Sequence, residues 1–395
     1  MSASRSLFAR ELGRDALSTF QSKTSDRLIS LLQPSPAGPP HHHRGVNSIA
    51  IDPLTGSSLL SAGADSSVAL WDLYGANAPV ASNPRTTPDP PLSINKVSYY
   101  PFDANAFLLS CVDGSVRFCE TERLAPRVTF PLGNAVNSHD TSAELSVACA
   151  LAAPVARLVD LRTGGSTHTL PHSRGEVLSV AWRPQRMCVL ASAASDGRVR
   201  IWDTRRADAA VAELDLEVWE GREGRNYASR AKAHEGPVNG LAWTEDGRFL
   251  VTVGKDERMR VWDGGRRFVN TLVHFGPRVK DEKRGVLNPV VAPSWTGANY
   301  VAFTASGGLE VFDLMSGTSV KRLFLPKMEG RIMDIQWRTG SVEVYAAHGD
   351  GTIRMWKPEA GGDESGKKRK RDDGDEANVL EDIVRGLTEQ QVTFS

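Results

Sequence analysis

The sequence predicts an all-β ring of seven four-stranded sheets, a β-propeller, with a short helical segment before it and a charged tail after it. Three observations predict this. One unit recurs seven times: an alternating apolar stretch, a turn, a small-residue strand, an Asp-containing turn, and a strand that ends in an aromatic residue and an acid. Apolar residues inside the unit alternate at period two between Gly, Asp and Asn turns, which is the pattern of an antiparallel meander. Finally, one such sheet cannot bury both of its faces alone. Seven packed radially can, and closure leaves only short edges.

The clearest units run from Val46 to Asp72, Val177 to Asp203 and Val238 to Asp263. In them Asp65, Asp196 and Asp256 stand six residues before Trp71, Trp202 and Trp262, and the hydroxyls Ser61, Ser192 and Thr252 stand four residues before each Asp. Weaker units complete the set. Val97 to Glu120 keeps Asp113 but has Cys119 in place of Trp. The third, from about Leu145 to Asp160, has lost both the turn Asp and the Trp. Val290 to Asp313 ends in Phe312-Asp313, and Ile332 to Lys357 keeps Asp350 and Trp356.

The ends read differently. Leu7, Phe8 and Leu12 lie on one helical face, Gly13 interrupts it, and Ala16, Leu17 and Phe20 continue it, so residues 1–24 are expected to form short helical turns. Such helices are unstable alone and must dock, on the ring or on a partner. The ring is assigned to residues 25–358. Its last unit lacks a fourth strand, and the apolar run Arg27 to Leu32 is the expected donor, stopped by Pro34, Pro36, Pro39 and Pro40. Residues 359–395 are polar and charged, a composition that predicts disorder. They hold Lys367, Lys368, Arg369, Lys370 and Arg371 in a row, the pattern of a nuclear-import signal, so the expected location is the nucleus. Val379, Leu380, Ile383, Val384 and Leu387 follow at helical spacing.

Composition excludes several classes of function. Lys+Arg and Asp+Glu both number 47, so the basic excess of a chain that wraps nucleic acid is missing. Cys111, Cys119, Cys149 and Cys188 show no CxxC spacing, which argues against a zinc site, and all four fall in expected strands as reduced core thiols. No apolar run is long enough to span a membrane, and the first residues lack the core of a secretion signal. No phosphate-binding Gly loop, nucleophile motif or repeated His/Glu constellation appears, so no catalytic residue, cofactor or metal is expected. Two long connections are basic. Glu217 to Ala233 carries Arg222, Arg225, Arg230 and Lys232 with Trp219 and Tyr227 interleaved, and Gly276 to Gly285 carries Arg278, Lys280, Lys283 and Arg284. These residue types serve either an acidic protein surface or nucleic acid.

The repeated unit resembles the WD-repeat family over nearly the whole chain, from about residue 27 to 357. The resemblance implies a buried chain of hydrogen bonds in each strong unit. One would be His234, Thr252, Asp256 and Trp262; a second His172, Ser192, Asp196 and Trp202; the third His42 or His43, with His43 preferred, and Ser61, Asp65 and Trp71. A His-Asp-Ser grouping repeated three times is structural, because an active site is not repeated.

The longer stretches Glu176 to Ala207 and Ala233 to Asp263 are similar to the fourth and fifth repeats of the Cockayne syndrome group A family. The degenerate third unit and the order of short helices, closing strand and Gly45-Val46-Asn47 fit the same family, so the chain is identified as a divergent, fungal-type member. The sequences Trp202-Asp203-Thr204-Arg205 and Val159-Asp160-Leu161-Arg162 match the box of cullin-4 substrate receptors. The family implies a substrate receptor of a cullin-4 RING ubiquitin ligase in transcription-coupled nucleotide excision repair. Its implied partners are the damage-binding adaptor subunit, the Cockayne syndrome group B ATPase and the RNA polymerase II elongation complex. Leu7, Phe8, Leu12, Leu17 and Phe20 would enter the adaptor, with Asp203, Arg205 and Arg162 alongside, and the opposite face would hold the repair partners. The competing expectation is a histone- or chromatin-binding WD scaffold, which would bind histone peptides and not the adaptor.

Overall fold

The computed structural model describes residues 16–35, 40–75, 79–83, 92–172, 174–206, 210–219, 231–265, 267–277, 279–280, 286–297, 299–305, 308–324 and 331–358. Seven four-stranded sheets form the seven blades of a propeller. Blade 1 is β2 (Val46–Ile51), β3 (Ser58–Gly63), β4 (Val68–Asp72) and β5 (Pro79–Asn83); blade 2 is β6 (Ile94–Tyr100), β7 (Asp103–Cys111), β8 (Ser115–Glu120) and β9 (Ala125–Pro131). Blade 3 is β10 (Val136–Thr141), β11 (Ser146–Leu151), β12 (Val155–Asp160) and β13 (Ser166–Pro171); blade 4 is β14 (Val177–Trp182), β15 (Val189–Ala194), β16 (Val199–Asp203) and β17 (Ala210–Glu213). Blade 5 is β18 (Val238–Trp243), β19 (Phe249–Gly254), β20 (Arg258–Asp263) and β21 (Val269–Asn270); blade 6 is β22 (Val290–Val291), β23 (Tyr300–Ala305), β24 (Gly308–Asp313) and β25 (Ser319–Phe324).

Blade 7 takes β26 (Ile332–Trp337), β27 (Val344–His348) and β28 (Ile353–Pro358) from one end of the ring and β1 (Leu32–Pro34) from the other. The closing strand is therefore shorter and later than the run Arg27 to Leu32. Helix α1 (Ala16–Ser30) continues through most of that run. The reason is periodicity: the buried residues Ser25, Ile29 and Leu32 follow a spacing of four and three, which is one face of a helix and not the alternation of a strand. Ser25 Oγ donates to the carbonyl of Thr296 (2.8 Å) and Lys321 Nζ to that of Ser30 (2.8 Å), so the end of α1 is fastened to blade 6. Pro34 is not a stop outside the sheet. It pairs with Trp356 as the last residue of an outer strand, where a missing N–H costs no ladder bond.

The second and third units also begin earlier than the sequence suggests, at Ile94 and Val136. The inner strand β10 of blade 3 carries Asn137, Ser138, His139 and Asp140, too polar a run to read as a strand. Cys111, Cys119 and Cys149 are buried strand residues, whereas Cys188 is only partly buried and lies in the turn before β15.

The blades are stitched by polar side chains as well as by apolar packing. Asn47, Asn95 and Asn137, each the second residue of an inner strand, donate through Nδ2 to the carbonyl that opens the next blade, at Ile94, Val136 and Val177, all at 2.8 Å. The ring closes with the same economy of parts. Ser48 Oγ (2.7 Å) and Ile49 N (3.0 Å) of blade 1 donate to Asp334 of blade 7, and Arg338 Nε donates to the carbonyl of Gly56 (2.8 Å).

Candidate functional site

Each sheet is an antiparallel meander, so its connections alternate between two faces of the ring. Connections between first and second strands, and between third and fourth, share one face. Those between second and third strands, and from one blade to the next, share the other. Because β1 is an outer strand antiparallel to β28, the helix that leads into it lies on the first face.

That first face also carries Arg162 and Arg205, in the corresponding turns of the adjacent blades 3 and 4. Arg205 Nε and Nη2 donate to the two oxygens of Asp203 (2.9 and 2.7 Å), while its side chain remains 73% exposed. The hydrogen bond from Arg205 is the main cause that holds the Asp203 carboxyl down to about 2. Arg162 N donates to Asp160 Oδ1 (2.8 Å), and its Nε lies 3.5 Å from the same oxygen, with 68% of the side chain exposed. Asp203 thus fixes the orientation of a guanidinium fork whose remaining donors face solvent. Leu17 and Phe20 lie in the first turns of α1, and Leu7, Phe8 and Leu12 lie outside the described residues.

Sequence reasoning missed the apolar part of this face. Leu54, Tyr74, Phe102, Met187, Trp295 and Met315 all occupy its turns, six of the twelve exposed large hydrophobic side chains among the described residues. Only Val112 and Leu272 of that set lie in connections on the other face; the remaining four sit on outer strands. Isolated apolar side chains in turns carry little signal in a sequence. Only the strand order shows that these turns are on one side.

The polar interiors of the blades are built as follows. In blade 5, Trp262 Nε1 donates to Thr252 Oγ1 (3.0 Å), Thr252 is bonded to His234 Nε2 (2.7 Å), and His234 Nδ1 to Asp256 (2.9 Å). Burial pushes the Asp256 pKa up, but hydrogen bonds from His234 and Arg260 outweigh it and leave the group below its usual range. In blade 1 the histidine is His42, not His43. Trp71 Nε1 donates to Ser61 Oγ (2.8 Å), Ser61 is bonded to His42 Nε2 (2.7 Å), and His42 Nδ1 to Ser67 Oγ (2.5 Å), which passes the chain on to Asp65. His43 is exposed and contributes only its backbone N–H to Asp65 (2.9 Å). Two adjacent histidines are indistinguishable by spacing, and the strand direction decides which one points inward.

Blade 4 departs from the expected pattern. Trp202 Nε1 donates to Ser192 Oγ (2.7 Å) and Ser192 is bonded to His172 Nε2 (2.8 Å), but His172 Nδ1 has no hydrogen-bond partner among the described residues and Asp196 accepts from Arg198 N (3.1 Å). His139, unnoticed in the sequence, forms a further buried link. It bridges Ser98 (2.7 Å) and Ser110 (2.6 Å) from β10, joining blades 2 and 3.

On the opposite face, Leu216 N donates to the carbonyl of Lys232 (2.9 Å), so the long basic connection leaves and returns at one place. Trp219 lies along β21, bridged to Asn270. Lys280 Nζ stands 3.8 Å from Glu257. Arg222, Arg225, Arg230, Arg278 and the basic run Lys367, Lys368, Arg369, Lys370 and Arg371 lie outside the described residues. Among the described residues no cluster of three or more His, Cys, Asp or Glu is placed to hold a metal ion, and no helix is long and apolar enough to cross a membrane.

The chain matches the family model "WD domain, G-beta repeat" at residues 37–72, 164–203 and 227–263, which contain the first three strands of blades 1, 4 and 5. It is 26% identical to WD repeat-containing protein ATCSA-1 of Arabidopsis thaliana, over 88% of this chain and 94% of that protein. It is 24% identical to DNA damage-binding protein 2 of Bos taurus, over 68% of this chain and 63% of that protein. Radiation-sensitive protein 28 of Saccharomyces cerevisiae is 26% identical over 43% of this chain and 37% of its own length.

Proposed function

We propose that this WD-repeat protein, homologous to DNA damage-binding protein 2 and Radiation-sensitive protein 28, is the substrate-recognition subunit of a cullin-4 RING ubiquitin ligase. In this reading it acts in transcription-coupled nucleotide excision repair in the nucleus and performs no chemistry itself. One face grips the damage-binding adaptor subunit. The other presents the Cockayne syndrome group B ATPase and the stalled RNA polymerase II complex to the ligase. The names of two relatives support a repair role, since one binds damaged DNA and the other is named for radiation sensitivity.

The observation that carries the reading is the make-up of the first face. It collects helix α1, two arginine forks and half of the exposed large apolar side chains of the described residues. Exposed apolar anchors accompanied by arginines are a composition enriched in protein interfaces. A disc with two independent faces suits a protein that must hold a ligase and its substrate at once.

Co-purification with the cullin-4 adaptor tests this. The full chain forms a one-to-one complex. A chain lacking residues 1–24 keeps Ser25, Ile29 and the closing strand, stays folded by circular dichroism, and loses the complex. Arg162→Ala with Arg205→Ala weakens binding by about tenfold or more. Full-strength binding by the truncated chain would defeat the docking reading, and tight binding of histone peptides without the adaptor would favour a chromatin scaffold instead.

A further inference from the structure

The third strand of each blade holds a fixed position four residues after the turn acid. In blades 2, 5 and 7 it is Arg117, Arg260 and Arg354, each paired with the acid of its own turn: Asp113, Asp256 (2.8 Å) and Asp350 (3.2 Å). In blade 4 it is Arg200, whose Nε donates to Glu213 (2.6 Å), directly opposite on the outer strand. Two kinds of acid therefore serve this arginine, one in the turn and one across the sheet.

Blade 3 keeps the arginine and has neither acid. The turn position is Ala153, and the residue opposite Arg157 is Thr169. Arg157 is partly buried. Its Nη1 donates to the carbonyl of Leu132 (3.2 Å), its Nε is buried without a hydrogen-bond partner, and no ion pair reaches it among the described residues. A buried N–H of a guanidinium without an acceptor is destabilising; the Nε of Arg117 and Arg354 finds a hydroxyl two residues back, and that of Arg200 a carboxylate across the sheet, whereas blade 3 has Val155 and Thr169 at those places. The neighbourhood is open: a Cβ added to Gly133, beside Leu132, would meet nothing within 4 Å.

We propose that Arg157 is a carboxylate-recognition site, which an aspartate or glutamate side chain of a bound protein fills between blades 2 and 3. The entering carboxylate takes the place that Glu213 takes beside the Nε of Arg200 in blade 4. A guanidinium offers paired N–H donors that match the two oxygens of a carboxylate, which gives the contact direction as well as strength. The site lies toward the second-to-third-strand turns, on the face away from α1. It rests on the comparison between blades and stands whether or not the ligase reading holds.

The test is the melting temperature of the full chain with N-acetylglutamate amide in place of an equal concentration of chloride. Three proteins are compared: wild type, Arg157→Gln and Thr169→Glu. The last sets an internal carboxylate opposite Arg157, as Glu213 stands opposite Arg200, on an exposed strand residue. The wild type gains about 1–2 °C from the acetylated glutamate at concentrations well above its dissociation constant. Both variants gain nothing, and Thr169→Glu in chloride melts above the wild type. Equal gains in all three proteins, or none in the wild type, would overturn the site. A gain with inorganic phosphate and none with the carboxylate would overturn its assignment to an acidic side chain. If Arg157→Gln fails to fold, Thr169→Glu alone decides.

Discussion

Gly254 and Ala194 occupy the same place in consecutive blades, two residues before the turn aspartate, and the two interiors are wired differently. A Cβ at Gly254 would stand 2.7 Å from Asp256 Oδ1, and one at Gly63 would stand 2.6 Å from His42 Nδ1. Glycine leaves room for Asp256 to bond His234 directly in blade 5 and for Ser67 to link His42 to Asp65 in blade 1; blade 4 has Ala194 at this place, and there Asp196 bonds Arg198 N instead of His172. Gly254→Ala is therefore expected to separate Asp256 from His234 and cost about 1–3 kcal/mol in urea denaturation, the penalty of a buried polar group left unpaired. Ala194→Gly should let Asp196 close on His172, seen as a shift in the His172 ring resonances. The histidines also set a pH response. Burial holds His42 down to about 4, against the pull of Asp65, and His172 to about 3; His234 and His139 are lowered by the same cause. Their folded pKa values lie below the unfolded 6.5, so the unfolded chain binds more protons and stability present above pH 6.5 is lost as pH falls. Each such histidine contributes a slope of about 1.4 kcal/mol per pH unit. Denaturant midpoints should fall steadily from pH 6.5 to 4.5, before most carboxylates titrate, and a flat profile there would contradict the buried neutral rings. The Ser/Thr, Asp and Trp positions stood out by their recurrent spacing, and the family resemblance implied that they form networks. His42 against His43 depended on strand direction, and the detachment of Asp196 emerged only with the structure.

The inner strands share an irregularity that no periodicity shows. In six blades the pairing register shifts after the first residue, at Val46/Ser48, Ile94/Lys96, Val136/Ser138, Val177/Ser179, Val238/Gly240 and Ile332/Asp334. The skipped residue is a bulge, and a bulge re-aims its side chain. At Asn47, Asn95 and Asn137 it aims the amide at the next blade. Asn95→Ala should cost about 1 kcal/mol, or a little more because the carbonyl of Val136 loses its donor, measured by thermal or urea unfolding. Gly240, just after the bulge of β18, stands very close to the next blade. A Cβ there would collide with the carbonyl of Leu287 and lie 3.1 Å from Pro289 Cδ. Gly240→Ala should therefore destabilise the junction of blades 5 and 6 by about 1–3 kcal/mol. At this scale the strong units were readable because hydrophobic alternation and turn residues agree. The closing strand was misplaced because Leu28, Ile29, Leu31 and Leu32 suit a helix end as well as a strand. The polar inner strand β10 was invisible to a search for apolar runs.

The seven blades form a ring that β1 shuts by pairing with β28. Trp356 is fully buried under β1, and Ile29 and Leu32 join the core that runs through blades 5, 6 and 7. Shutting the ring leaves two faces whose connections differ in character. The number of blades was legible in the sequence, since seven units recur. Which turns share a face follows only from strand order, and so the apolar surface beside α1 emerged with the structure. We propose that this surface grips a ligase adaptor. Amide hydrogen exchange of the full chain, alone and with the cullin-4 adaptor, measures it most directly. With the adaptor bound, exchange should slow in α1 and in the turns that carry Leu54, Tyr74, Phe102, Met187, Arg205 and Trp295, with the opposite face unchanged. Protection confined to the blade-to-blade connections of the other face, or none at all, would contradict it.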